Sequence, residues 1–249
     1  MASSWAFLPV FGSIVFFGAA VQRVAGIGFG LVAAPFLVLL VGPMDGVAVA
    51  NCAGIAISGL GLLATWRGVR LRAMVPLVAA AALTVPLGAA VARWLPEPVL
   101  LTAMGALLSA LVLLLIVGVR LPALRGTAGA LTAGAASGFM NSSAGLGGPA
   151  VSLYAVNAGW SAREFVPNAQ FYGLLVNVFS IAAKGVPALG APAWTLGAAT
   201  LGAGLLAGHL VGARTPEDRA RRVIFALALG GGLVTFGKGL WLLAPGFAG

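Results

Sequence analysis

Groups able to recognise a small ligand gather in this chain at two glycine-rich stretches and in the apolar segments that follow them. The first stretch is Gly26-Ile27-Gly28-Phe29-Gly30, with Gln22 and Arg23 just before it and Pro35 after it. The second is Asn141-Ser142-Ser143-Ala144-Gly145-Leu146-Gly147-Gly148-Pro149. A helix that begins at such a break carries unpaired N–H groups and the positive end of its dipole, which suits an anion. At membrane depth, irregular backbone is tolerated only where protein or a water-filled cavity satisfies it, so the breaks imply a cavity. The competing reading is that the glycines only permit tight helix crossing. Asn51 and Asn168 lie further along, each inside an apolar span, and Gln170, Tyr172 and Asn177 add polar groups to the second. Amides at that depth need a partner, either a substrate or another helix. Arg23 admits two roles: a cation complementing an anion at the first break, or an ordinary surface arginine if the hairpin tip reaches the far side. The residues expected to contact a substrate are therefore Gln22, Arg23, Gly26, Gly28 and Gly30 at the first break and Asn141, Ser142, Ser143, Gly145, Gly147 and Gly148 at the second. Beyond the breaks, Asn51, Asn168, Gln170 and Tyr172 complete the set.

Other chemistries find little material. Asp45, Glu97, Glu164, Glu217 and Asp218 all fall in turns, which leaves no carboxylate inside a span to bind an organic cation or divalent metal or to relay protons. Cys52 is the only cysteine, so neither a disulfide nor a cysteine-rich metal site is available. His209, the only histidine, stands five residues before Arg214 near the end of a span and reads as a packing or interface residue. With no nucleophile–base pair, Walker loop or metal-spaced histidines, an enzyme is not expected, nor a cofactor.

The elements that must hold these groups are membrane helices. Of 249 residues, 61% are hydrophobic and 8% charged, with mean hydropathy +1.08, against about 25% charged in soluble domains. Leucine, alanine, glycine and valine dominate without period-2 alternation, so the fold class is an all-α polytopic membrane protein forming a single transmembrane domain over 1–249. The net charge of +9 then reflects loop arginines rather than nucleic acid. The N-terminus lacks the positive region of a cleaved signal, so its apolar stretch reads as a retained membrane segment. Arms are expected at about 5–22 and 28–41, then spans at 46–65, 74–92 and 98–117; a second pair of arms at 127–140 and 149–159 precedes spans at 165–183, 193–212 and 223–243.

The two series are related by one offset. Adding 117 carries Gly28 to Gly145, Gly30 to Gly147, Gly42 to Gly159, Asn51 to Asn168 and Arg67-Gly68-Val69 to Lys184-Gly185-Val186, which defines repeats of about 1–120 and 121–249. A continuous helix over the first 37-residue pair of arms would be roughly 55 Å long against a hydrocarbon core of about 30 Å, so each pair folds back as a broken, re-entrant hairpin. If each hairpin enters and leaves on one side, ten loop arginines (67, 70, 72, 120, 125, 163, 214, 219, 221, 222) share one face and only Arg93 and Lys184 the other. Single crossings would divide them six and six. The positive-inside rule selects the hairpins, puts the arginine-rich loops in the cytoplasm and both termini outside. Three full crossings per half then invert the second repeat relative to the first, an architecture that recurs in secondary transporters.

These features resemble the sulfite exporter TauE/SafE family: two halves, each opening on a Gly-x-Gly-rich break with a nearby proline, then an Ala-Val-Ala-Asn stretch at 48–51. The resemblance covers essentially the whole chain, and the family's motif glycines correspond to Gly26, Gly28 and Gly30 and to Gly145, Gly147 and Gly148. It implies a multi-pass transporter of the bacterial inner membrane, acting as monomer or homodimer in the lipid bilayer and driven by a proton or sodium gradient. Its substrates would be small anions such as sulfite, sulfonates or sulfoacetate. Carboxylates suit the same donors, and a non-transporting membrane partner or assembly protein is the competing class.

Overall fold

The computed structural model describes residues 4–26, 28–118, 124–212 and 215–244. Ile27 of the first break, Arg120, Arg214 and the chain ends lie outside the described residues, as do the side chains of Glu217 and Asp218. The described elements are all helical: α1 (Ser4–Ala25), α2 (Phe29–Val41), α3 (Pro43–Thr65), α4 (Leu71–Trp94), α5 (Glu97–Val117), α6 (Gly126–Ala144), α7 (Gly148–Asn157), α8 (Ala162–Lys184), α9 (Ala191–Gly212) and α10 (Glu217–Leu243). A 3-10 turn, Trp66–Gly68, links α3 to α4. Seven of these helices, all but α2, α6 and α7, are long and apolar enough to cross a membrane. Large apolar side chains such as Leu63, Leu83 and Trp94 face outward, as lipid contact requires.

The breaks fall where the glycines place them, but the first arm is longer than its sequence reading. Helix α1 has 22 residues, about 33 Å, enough to cross on its own. Helix α2 has 13 residues and α7 only 10, about 20 and 15 Å, too short to cross. Helix α2 doubles back along α1: a Cβ at Gly18 would lie 2.7 Å from that of Ala33 and 3.1 Å from the Phe29 ring. The expected turn carboxylates are instead in first turns of helices. Asp45 lies in α3, and Glu164 forms a capping box with Ser161 at the start of α8, where acidic side chains complement the dipole.

The 117-residue offset can be applied to the elements. Shifted by 117, α2 (29–41) becomes 146–158 against 148–157 for α7, α3 (43–65) becomes 160–182 against 162–184 for α8, and α4 (71–94) becomes 188–211 against 191–212 for α9. Gly42 and Gly159 both take positive φ, 87° and 72°, a conformation that suits glycine; Gly42 is itself the C-cap of α2, whereas α7 is capped by Ala158 and Gly159 follows it.

The chain forms two compact units that mix the repeats. One holds α1, α2, α3 as far as Ala50, α5 as far as Ser109, α9 and α10; within it α1 packs along α9 and α2 on α1 and α10. The other holds α3 from Asn51, α4, the end of α5, α6, α7 and α8; within it α4 packs along α6 and α8. By repeat correspondence α1 matches α6 and α9 matches α4, so each unit contains the same kind of pair. Both pairs rest on a Gly-x-x-x-Gly spacing that lets backbones touch. Gly204 and Gly208 of α9 lie against the Phe16 and Ala20 carbonyls of α1, and Gly134 and Gly138 of α6 against the Leu77 and Ala81 carbonyls of α4.

Candidate functional site at the second break

Helix α6 stops because Gly145 takes the left-handed conformation (φ 73°, ψ 18°) and turns its N–H onto the Asn141 carbonyl at 2.9 Å, an αL cap. Ser137 donates to the Gly147 carbonyl at 2.7 Å and so ties the far side of the break back to α6. Helix α7 then opens with Pro149 in its first turn, where a missing N–H costs nothing. The break residues from Asn141 to Gly147 are buried and Gly148 is exposed.

At the centre stands Asn141. Its Nδ2 faces three acceptors: Ser180 Oγ at 2.9 Å, Asn177 Oδ1 at 3.0 Å and, more distantly, Asn51 Oδ1 at 3.4 Å. Two N–H bonds shared among three acceptors leave the Asn51 contact the weakest. Ser180 spends its own proton on the Val176 carbonyl at 2.8 Å. Asn51 is 1% exposed and its Nδ2 has no partner. This cluster joins α3, α6 and α8 inside one unit, and it brings together Asn51, Asn141, Gly145 and Gly147 of the sequence-predicted residues. Ser142 and Ser143 sit in the same turn of α6, but their hydroxyls donate to the Gly138 and Phe139 carbonyls, which leaves them acceptors rather than the donors expected of them.

Two predicted residues of the same unit, Asn168 and Gln170, lie elsewhere, and a third, Tyr172, stands behind the break. Asn168, wholly buried, accepts the Arg70 N–H at 2.8 Å and donates to the Glu164 carbonyl at 2.7 Å, so it clamps the loop before α4 rather than joining Asn51. Glu164 also pairs with the Arg70 side chain there. Gln170 packs over Gly61. The Tyr172 hydroxyl is hydrogen-bonded with Ser137, the residue that ties the break, and lies 3.5 Å from the Gly134 carbonyl, while its ring lies in an apolar core with Met74, Leu77, Tyr154 and Val176.

The first break, in the other unit, is held by Gln22. Its Oε1 accepts the Phe29 N–H at 2.9 Å and its Nε2 donates to the Gly26 carbonyl at 3.0 Å, so one carboxamide bridges the end of α1 and the start of α2. Gly26 closes the last turn of α1 on the Gln22 carbonyl at 2.8 Å, and Gly28 stands as N-cap of α2 with φ 145° ahead of Gly30. Arg23 is exposed and donates to Nδ1 of His209 on α9 at 3.0 Å, the geometry of the surface role rather than the substrate role.

The sequence model of the sulfite exporter TauE/SafE family matches residues 11–240. The chain belongs to that family. Neither the search of curated proteins nor that of solved structures returned a match. As a TauE/SafE protein with seven helices long and apolar enough to cross a bilayer, it is a multi-pass membrane protein of a transporter family.

Sequence reasoning left Asn177 and Ser180 of the cluster, and Lys184 one turn beyond them, out of the site. Ser180 carries no motif. Lys184 ends α8 and reads as a loop charge, yet its Nζ is buried with no partner. The signal was present in the spacing: 177, 180 and 184 recur at i, i+3 and i+7, one face of a helix.

Proposed function

We propose that the protein is a secondary transporter of small anions, sulfur oxyanions and organosulfonates such as sulfite, sulfonates and sulfoacetate, which it holds at the second glycine-rich break. The observation that carries this reading is Asn51, buried with an unpartnered Nδ2 beside a break in the helix ladder. An unmet buried donor costs about 1–3 kcal/mol, a cost relieved by an oxygen atom of a ligand. A charged oxygen is favoured twice, because charge-assisted hydrogen bonds are the stronger ones and the start of α7 adds a positive dipole end. The cluster consists of amides and a hydroxyl with no carboxylate among the described residues, so it offers a cation no counter-charge. Gln22 and Arg23, engaged within their own unit, have no direct role in this proposal.

Transport proceeds by alternating access, the two inverted repeats exchanging conformations, coupled to a proton or sodium gradient. The similar element bounds under the 117-residue offset support the duplication on which this depends. The chain sits in the inner membrane with both termini periplasmic and the arginine-rich loops cytoplasmic. Proteoliposomes loaded with protein test the reading: radiolabelled sulfite or a sulfonate should cross faster than in protein-free vesicles, and faster than a small carboxylate. Movement of carboxylates alone would reassign the substrate, and movement of no anion would favour a non-transporting membrane partner.

A further inference from the structure

Three side-chain donors among the described residues are buried without a partner: Asn51 Nδ2, Lys184 Nζ and Ser109 Oγ. Two of the three lie on helices that build the amide cluster, Asn51 on α3 and Lys184 on α8. Lys184 is the last residue of α8 and shares its face with Asn177 and Ser180, both bonded to Asn141. Side chains on a helix lean toward its N-terminus, so Lys184 runs back along that face. Cys52, the residue next to Asn51, lies in its neighbourhood. A lysine at a helix end ordinarily extends its charge to water. Arg93, at the end of α4, is exposed and donates to the Ala183 carbonyl; Lys184 does the reverse and buries its nitrogen.

An ammonium shielded from water with no acceptor is costly, more so than a neutral donor. Nothing in the cluster offsets it: its members are amides, a hydroxyl and a thiol, and Arg93 adds a second positive charge nearby. Resting on the anion-transport reading above, we propose that Lys184 Nζ and Asn51 Nδ2 together bind the oxygen atoms of the substrate, with Lys184 supplying the counter-charge. The ligand class is a compact oxyanion, sulfonate, sulfite or carboxylate, whose oxygens accept from both nitrogens at once. Lys184 is then the residue that selects for charge and Asn51 the residue that orients it.

Thermal unfolding of the detergent-purified full chain tests this, with sodium methanesulfonate and sodium sulfite as probes against sodium chloride at equal ionic strength. Wild type should be stabilised by a probe as mass action requires. Lys184→Met, without probe, should unfold at the same or a higher temperature, because an unpaired buried charge is gone, while its probe response weakens by about tenfold or more. Lys184→Arg should keep most of the response; Lys184→Gln replaces Lys184→Met if that variant does not fold. A probe response in Lys184→Met equal to wild type overturns the inference. Should Asn51→Leu lose the response while Lys184→Met keeps it, Lys184 alone is wrongly assigned. If wild type responds to neither probe, the anion site falls and this inference with it.

Discussion

Replacing Asn168 with alanine separates the two amides related by the 117-residue offset, Asn51 and Asn168. In the structure Asn168 accepts the Arg70 N–H at 2.8 Å and donates to the Glu164 carbonyl at 2.7 Å, while Asn51 keeps an unmet donor. Truncation leaves the Arg70 N–H without its acceptor in a loop that also carries the Arg70–Glu164 ion pair. The ion pair contributes little, since its members are half exposed. Loss of the N–H acceptor should cost about 1–3 kcal/mol. At roughly 3 °C per kcal/mol for a chain of this size, the unfolding temperature should drop by about 3–9 °C. The assay is intrinsic-fluorescence unfolding in detergent, repeated across a sulfite titration. Anion affinity should stay within about twofold of wild type, because the clamp belongs to a loop outside the Asn51–Asn141 cluster. An unchanged unfolding temperature combined with a tenfold loss of sulfite affinity would refute this assignment and restore Asn168 to the site.

Two further outcomes follow from the packing and the topology. Gly138→Ala would set a Cβ 2.6 Å from the Ala81 carbonyl, and Gly204→Ala would collide with the Phe16 carbonyl; each should cost about 1–3 kcal/mol or more by forcing two helices apart, read as a lower unfolding temperature and loss of monodisperse protein on gel filtration. On a Cys52→Ala background, single cysteines at Arg70 and Thr215 should both label from the cytoplasmic side with a membrane-impermeant maleimide. Labelling from opposite sides contradicts both the hairpins and the inverted repeat.

Hydropathy located the helices well because a bilayer demands about 20 apolar residues at a time, a period that survives without any tertiary information. The bounds of α3, expected at 46–65 and found at 43–65, illustrate it. The second break was legible for the same kind of reason: a left-handed residue at the end of α6 needs Gly145, and the chain has it. What escaped was direction. Gln22 reads as a polar group beside a break, and only the fold-back of α2 shows its carboxamide joining the break's two sides. Asn168 and Asn51 share a repeat position, but what each bonds is set by neighbours from other helices. Lys184 escaped because a terminal lysine is normally a surface charge, and packing alone turns its nitrogen inward.

The central claim is that an anion occupies the second break through Asn51, and isothermal titration of sulfite into wild type and Asn51→Leu tests it most directly. Asn51→Leu keeps the volume, removes the unpartnered Nδ2 and leaves Asn141 its bonds to Asn177 and Ser180. Saturable binding to wild type is expected and, in a variant at least as stable, a loss of about tenfold or more, the worth of a hydrogen bond to a charged group. Equal affinity in the two proteins would contradict it.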